Sequence, residues 1–294
     1  MKKLYLPALF VLWLNYLNGQ DLMALLDSAN TIQTQKEFVQ GTFRSVRLIN
    51  SYTSEIAEKN DLVFSISHRF DPINSGAYEL WGLDHSEIRF GFEYGLTNRI
   101  SLGLGRSSHE KLYDGFIKIK IARQSSGAKS FPLTITLLEG MDIKTYKYVD
   151  DVRDYPFSAR LYYTHELFIS RKINNYISAQ VVPTLLHRNM VITKEEQNLV
   201  PAIGFGSNVT VNKWLSFSGE YFYLLPGNTA DNYSNSLAFT MELESGGGHI
   251  FQITLANSHG MTEKSFIPET TGKWIDGDIQ LGFNIIRVFH PKKK

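Results

Sequence analysis

The 294-residue chain contains no cysteine. That excludes a disulfide framework and a lipidated N-terminal cysteine. Net charge is nearly absent as well, at +1 with histidine neutral. With a pI of about 7.9, the chain offers no electrostatic reason to bind nucleic acid or another polyanion. Beyond the N-terminus there is no apolar run long enough for a transmembrane helix. If the mature chain spans a membrane, it must do so as a closed barrel, because lipid cannot satisfy an open sheet edge.

Signatures of chemistry are also lacking. Neither His-Glu-x-x-His nor His-x-His occurs, and there is no Gly-x-Ser-x-Gly elbow. Ser107, Ser108 and His109, close to Glu110 and Asp114, are the only grouping to weigh as nucleophile, base and orienter. Adjacent residues on a strand or turn rarely converge in that way. His68, His85, His109, His187, His249 and His259 fall at strand ends or in loops. They read as polar side chains at an interface rather than a metal cluster at a mouth. Gly103-Leu104-Gly105 and Gly204-Phe205-Gly206 lie mid-strand and are not phosphate loops. No cofactor, metal or catalytic residue is expected.

What the chain does have is aromatic residues, at 13%, and a rhythm. In Ser86–Tyr94, Ile88, Phe90, Phe92 and Tyr94 alternate with Glu87, Arg89, Gly91 and Glu93. Neighbours on a strand point to opposite faces, so one face is apolar and the other charged. The pattern recurs from Asp61 to Phe289, with connections alternating between Asn/Gly-rich tight turns and long polar loops. About twelve strands are expected, with both ends on the periplasmic side, as in a single-chain transmembrane β-barrel. They are Asp61–Arg69, Ser86–Tyr94, Arg99–Ser107, Tyr113–Arg123, Phe131–Asp142 and Phe157–Ser170. The second half comprises Tyr176–His187, Asn198–Val211, Trp214–Leu224, Ser236–Glu244, His249–Asn257 and Asp276–Phe289.

Residues 1–19 read as a secretory signal: Lys2 and Lys3, then the apolar Leu4–Leu17, then cleavage before Gln20. The alternative is an uncleaved anchor helix, for which the stretch is short and interrupted by Pro7 and Asn15. Residues 20–60 form a periplasmic N-terminal segment that folds against the barrel or enters it. Within it Asp21–Ser28 is a short amphipathic helix and Thr42–Ile49 a mixed strand. Residues 61–294 form the barrel.

Parity assigns the faces. Leu62, Phe64, Ile66, then Ile100, Leu102, Leu104, then Ile117, Ile119, Ile121, and Leu133, Ile135, Leu137 point to lipid. Leu215, Phe217, Tyr221, Tyr223, then Leu237, Phe239, Met241, Leu243, and Ile279, Leu281, Phe283, Ile285 continue the row. Arginine at Leu102 or Phe283 should block assembly, whereas Ser101 or Gln280 should tolerate it. The opposite rows line the lumen: Arg69, Glu87, Arg89, Glu93, Arg99, Lys118, Lys120, Arg160, Glu166, Arg188, Glu220, Glu242, Glu244 and Asp278. Both signs occur in comparable number, which fits either a salt-bridged filled interior or a poorly ion-selective conduit. His165 falls on the lipid row, which a bulge or a place near the rim would explain.

Several phrases resemble a known family. They include Ile66-Ser67-His68-Arg69-Phe70, the run from Ser75 through Asp84, Arg106-Ser107-Ser108-His109-Glu110-Lys111 with Asp114-Gly115, and His187-Arg188-Asn189. The strongest is Gly246-Gly247-Gly248-His249-Ile250-Phe251-Gln252 through Gly282-Phe283-Asn284. Together they resemble the membrane-bound β-barrel family of Gram-negative bacteria catalogued as a domain of unknown function. The resemblance implies an outer-membrane barrel and carries no substrate, catalytic residue or cofactor with it. The tail His290-Pro291-Lys292-Lys293-Lys294 departs from the terminal aromatic usual in such barrels.

The expected role is a conduit or transporter for a small solute, or an envelope scaffold. The alternatives are a barrel enzyme acting on lipid and an adhesive barrel acting through its outer loops. The expected partners are outer-membrane lipids, the assembly machinery of that membrane and a small solute. Gln20–Asn60 is the best candidate for a movable plug.

Overall fold

The computed structural model describes residues 36–146, 155–191 and 193–290. The expected cleavage point, the Asp21–Ser28 helix, the charged residues 147–154 and the lysine tail lie outside these. A small unit of its own pairs Glu37–Phe38 antiparallel with Ser125–Ser126. The expected tight turn at Ser125–Gly127 is therefore a longer connection, in which the Ser125 N–H donates to the Phe131 carbonyl at 2.8 Å.

The remainder is a closed barrel of twelve antiparallel strands. They are β1 (Leu62–Pro72), β2 (Ser86–Gly95), β3 (Ile100–Ser107), β4 (Leu112–Ala122), β5 (Thr134–Lys144) and β6 (Leu161–Lys172). Then come β7 (Ile177–Arg188), β8 (Leu199–Thr210), β9 (Leu215–Leu224), β10 (Ser236–Ser245), β11 (His249–Ala256) and β12 (Gln280–Phe289). Each pairs with its sequence neighbours, and β12 closes the ring on β1. Local side-chain chemistry sets the tight turns. Asn174 Oδ1 accepts the N–H groups of Tyr176 and Ile177, both at 2.8 Å. Asn212 Oδ1 does the same for Trp214 and Leu215, at 2.8 and 3.0 Å. These Asx turns reverse the chain without needing a glycine.

Burial alternates along the strands as parity requires. Leu102, Leu104, Phe217, Phe239 and Leu243 are exposed on the outside, while Ser101, Lys118, Ser216, Thr240 and Glu242 between them are buried. Exposed rings gather at both ends of the apolar band: Tyr94, Tyr176, Trp214 and Phe289 at the turn end, Tyr113, Phe157 and Tyr223 at the loop end. Aromatic girdles of this kind mark the two interfaces of a membrane barrel. Two expected positions fall outside the strands, since β5 begins after Leu133 and β12 after Ile279. His165 does point outward, without a bulge in the β5–β6 register. It lies directly opposite Glu139, and its Nδ1 pairs with that carboxylate.

The interior is filled by chain from both ends. Residues 42–57 run inside the ring from the turn end, buried at nearly every position, so this part of the expected periplasmic segment lies within the barrel. It folds as a hairpin: Arg47 bridges Tyr52, and the Leu48 N–H donates to the Ser51 carbonyl at 2.9 Å. From the loop end, the β11–β12 connection turns inward as a buried insert around the short helix Glu263–Phe266.

Candidate functional site: a lumen closed from both ends

All four hydrophobic clusters of the barrel join an insert to the wall. Phe43, Leu48 and Ile49 of the hairpin pack on Ala238 and Ala256. Val46 and Ala57 meet Val63, Ile250 and Ile286, and Tyr52 meets Leu138, Phe168 and Val182. From the opposite end, Phe266 and Ile267 pack on Leu186, Val200, Ala202, Phe222 and Leu224. Fully burying a side chain of this size contributes roughly 1.5–3 kcal/mol. The inserts are therefore firmly seated.

A hairpin inside a barrel leaves backbone groups without sheet partners, and buried orphans are costly. Polar residues of the wall take them up. Glu220 accepts from the N–H groups of Asn50 and Ser51 at 2.9 and 3.1 Å, and from Ser51 Oγ at 3.0 Å. Gln252 donates to the Leu48 carbonyl at 2.9 Å, Asn284 to Ile49 at 3.1 Å and Gln180 to Tyr52 at 2.9 Å. Lower down, Thr136 donates to the Ser54 carbonyl at 2.7 Å, Lys118 to that of Glu55, and Glu93 accepts from the Ala57 N–H at 3.0 Å. Arg69 reaches Asn50 Oδ1 at 2.7 Å. The wall is a set of ligands for one hairpin.

The two inserts touch. Arg47 donates to the Met261 carbonyl at 3.0 Å, and Asn50 Nδ2 to Ser258 Oγ at 3.2 Å. The upper insert is latched to the rim through Lys264, whose ammonium lies 2.6 Å from Glu269 Oε2 and also pairs with Glu110 of the β3–β4 loop. Glu110 in turn holds Lys144 at the end of β5. Burial alone would raise the Glu110 carboxyl, but Lys264 and then Lys144 outweigh it and hold it below the usual carboxylate range. Glu269 has only a share of one ammonium, and burial pushes it up. The same burial would lower Lys264, yet Glu269 and Glu110 raise it.

The proposed catalytic grouping does not assemble. Ser108 Oγ donates to Glu87, and Ser107 Oγ accepts the His109 N–H at 3.2 Å, so neither hydroxyl meets an imidazole nitrogen. Among the described residues, no group of three or more His, Cys, Asp or Glu side chains is arranged to hold a metal.

The sequence matches the membrane-bound β-barrel domain family DUF5777 over residues 43–289. The chain belongs to that family. As a DUF5777 barrel it is a protein of the bacterial outer membrane, and the matched span takes in the hairpin as well as the strands. None of the characterised proteins compared with it shows significant sequence similarity. Among solved structures it is similar to the NanC porin, with a TM-score of 0.49 at 8% identity over 78% of this chain and 99% of that one. The KdgM porin gives 0.45 at 7% identity, over 78% and 99%. An outer-membrane channel from Pseudomonas putida F1 gives 0.41 at 11% identity, over 80% and 97%. At such identities the likeness concerns the fold alone.

Within this DUF5777 barrel the expected lumen residues divide by height. Arg69, Arg89, Glu93, Lys118, Glu166, Glu220 and Glu242 are buried inside. Lys120 pairs with Glu55 at 3.0 Å, and Glu244 with Arg44 at 3.2 Å, both at the turn end. Glu87 and Arg188 stand at the loop end, the latter 3.2 Å from Glu196. Arg99 is exposed on a turn. Two further positions leave the lumen. Arg160 closes a 3-10 turn before β6 and donates to the carbonyls of Lys144 and Tyr146, at 3.3 and 2.8 Å. Asp278 precedes β12 and accepts from Asn74 Nδ2 at 2.7 Å in the outer loops. In both cases a strand starts later than the alternation suggested.

Proposed function

We propose that the protein is a gated outer-membrane conduit for a small solute, closed at rest by the hairpin at residues 42–57 and by the Lys264 insert. The observation that carries this reading is the mismatch between contact and covalency. The hairpin is bound by side chains from the wall and the upper insert, yet it is continuous with a barrel strand only through Asp61, so it can leave without breaking the pairing of the twelve barrel strands. Wall charges of both signs would then face the opened passage, giving little preference between small cations and anions. Resting closure keeps the envelope sealed until a stimulus displaces the hairpin.

A cysteine-free chain makes the test clean. Ser54 Oγ of the hairpin lies 2.5 Å from Ser170 Oγ of β6, so Ser54→Cys with Ser170→Cys can lock hairpin to wall. In a background loosened by Lys264→Met, liposome swelling with small sugars should stop on oxidation and return on reduction. Permeation that ignores the lock would contradict a moving hairpin. A second reading, a barrel binding partners through its outer loops, rests on Tyr78 and Ile275, residues that stand 93% and 94% exposed there. Under that reading swelling is absent in every state.

A further inference from the structure

On three adjacent strands the inward row changes character at the turn end. On β1 it runs Val63, Ser65, Ser67, Arg69, and on β11 Ile250, Gln252, Thr254. On β12 Ile286 gives way to Asn284 and Gln280. The members nearest the mouth are aliphatic and those that follow them inward are polar, although all face the same interior. The hairpin covers part of this patch with Val46 and Ala57. Between hairpin and wall there remains a cavity of about 230 Å³ at the turn-side mouth. At ~30 Å³ per water it has room for roughly eight waters. Its inner walls are aliphatic and give such waters few of the polar partners they need, so an apolar body is the better occupant.

The rim decides the other end of the ligand. Arg44 is engaged by Glu244 at 3.2 Å, Glu55 by Lys120 at 3.0 Å, and Asp61 by His290 at 2.9 Å. Glu58 lines the same mouth, is exposed, and has no side-chain hydrogen bond or ion pair among the described residues. Among the residues that line the opening, the uncommitted charge is negative.

We propose that this cavity is a binding site for a small aliphatic solute with a single cationic head. The chain lies against Val46, Val63, Ile250 and Ile286, and the ammonium meets Glu58. The inference does not depend on gating, since a permanently closed barrel would hold the same ligand.

The test uses full-length protein in lipid nanodiscs and a trifluoromethyl-tagged hexylammonium followed by fluorine NMR, with the matching alcohol and carboxylate as comparisons. We expect a saturable shift for the ammonium, roughly threefold to fivefold tighter than for the alcohol, as an exposed ion pair allows. The carboxylate should bind most weakly. Glu58→Gln should bring the ammonium to the level of the alcohol without changing the alcohol. Val46→Phe, from the hairpin side, and Val288→Phe, from the wall side, should each remove the saturable component. Assembly of both is checked by heat-modifiability gels, and whichever assembles decides. An ammonium signal that survives cavity filling belongs to lipid and overturns the proposal. So does a carboxylate bound as tightly as the ammonium.

Discussion

Glu220 on β9 accepts a 2.9 Å hydrogen bond from the backbone N–H of Asn50, at the tip of the chain folded into the barrel. A wall carboxylate here satisfies a peptide group of the insert. Glu220→Ala would leave two buried N–H groups unpaired, at about 1–3 kcal/mol each. The strands should still assemble, while hydrogen exchange rises at residues 48–52 and conductance bursts appear. Unchanged exchange there would mean that the tip is held by packing alone.

The latch at the other end is electrostatic. Lys264→Met or Glu110→Gln removes one arm of this partly buried network, and the loss stays below the roughly 3–5 kcal/mol of a stranded buried charge because Lys144 still pairs with Glu110, and Glu269 with Lys264. Each should increase open probability in planar bilayers. The wild type should respond to acid in the same direction. Glu110 is held below its ordinary value of 4.5, so its contribution is complete above that value and is lost as the pH falls through the depressed one. Conductance recorded from about pH 6 to about pH 3 should rise only at the acid end, and the acid response should vanish in Glu110→Gln.

Gly95 is where the hairpin's neck crosses the wall. Its N–H donates to the Asp61 carbonyl at 3.0 Å, and the Gly95 carbonyl accepts from the Asn60 N–H at 2.7 Å. A Cβ added at Gly95 would fall 1.9 Å from the Glu58 carbonyl oxygen, and backbone cannot yield as a side-chain tip can. Gly95→Ala should displace the neck and make residues 58–61 more susceptible to protease while β2 and β3 remain paired. Resistance equal to the wild type would refute the contact.

Much of the architecture was legible in alternation alone. Ser86–Tyr94 and Trp214–Leu224 match the observed strands to within a residue, because one face meets lipid and the other does not. What alternation hid was the filling of the lumen. On β8, Leu199-Val200-Pro201-Ala202-Ile203 is apolar on both faces, as are Val181-Val182 and Leu185-Leu186 on β7. A strand covered on both sides reads as a continuous apolar run, and that was the available signal for an insert. The same fact revises one expectation. Ser101 is fully buried and donates to Glu93 Oε1 at 2.6 Å, so Ser101→Arg should be as damaging as Leu102→Arg.

The Glu139–His165 pair is a polar contact on the outer face, near mid-height between the two ends of β5 and β6. Removing one partner leaves a polar group facing lipid, where a charge costs roughly 2–4 kcal/mol at the midplane. Glu139→Leu and His165→Leu should each lower the unfolding temperature in heat-modifiability gels. The double substitution should restore it or raise it. Additive losses would show that the two residues do not act as a pair.

Closure of the lumen by two inserts is the central claim, and single-channel recording in planar bilayers tests it most directly. The intact protein should be silent at neutral pH. A chain lacking residues 42–57 should give small, interrupted steps, because the Lys264 insert still occupies the loop end. Deleting the hairpin and shortening the β11–β12 insert together should give a wide, steady conductance. A wide, steady conductance from the intact protein would contradict the account.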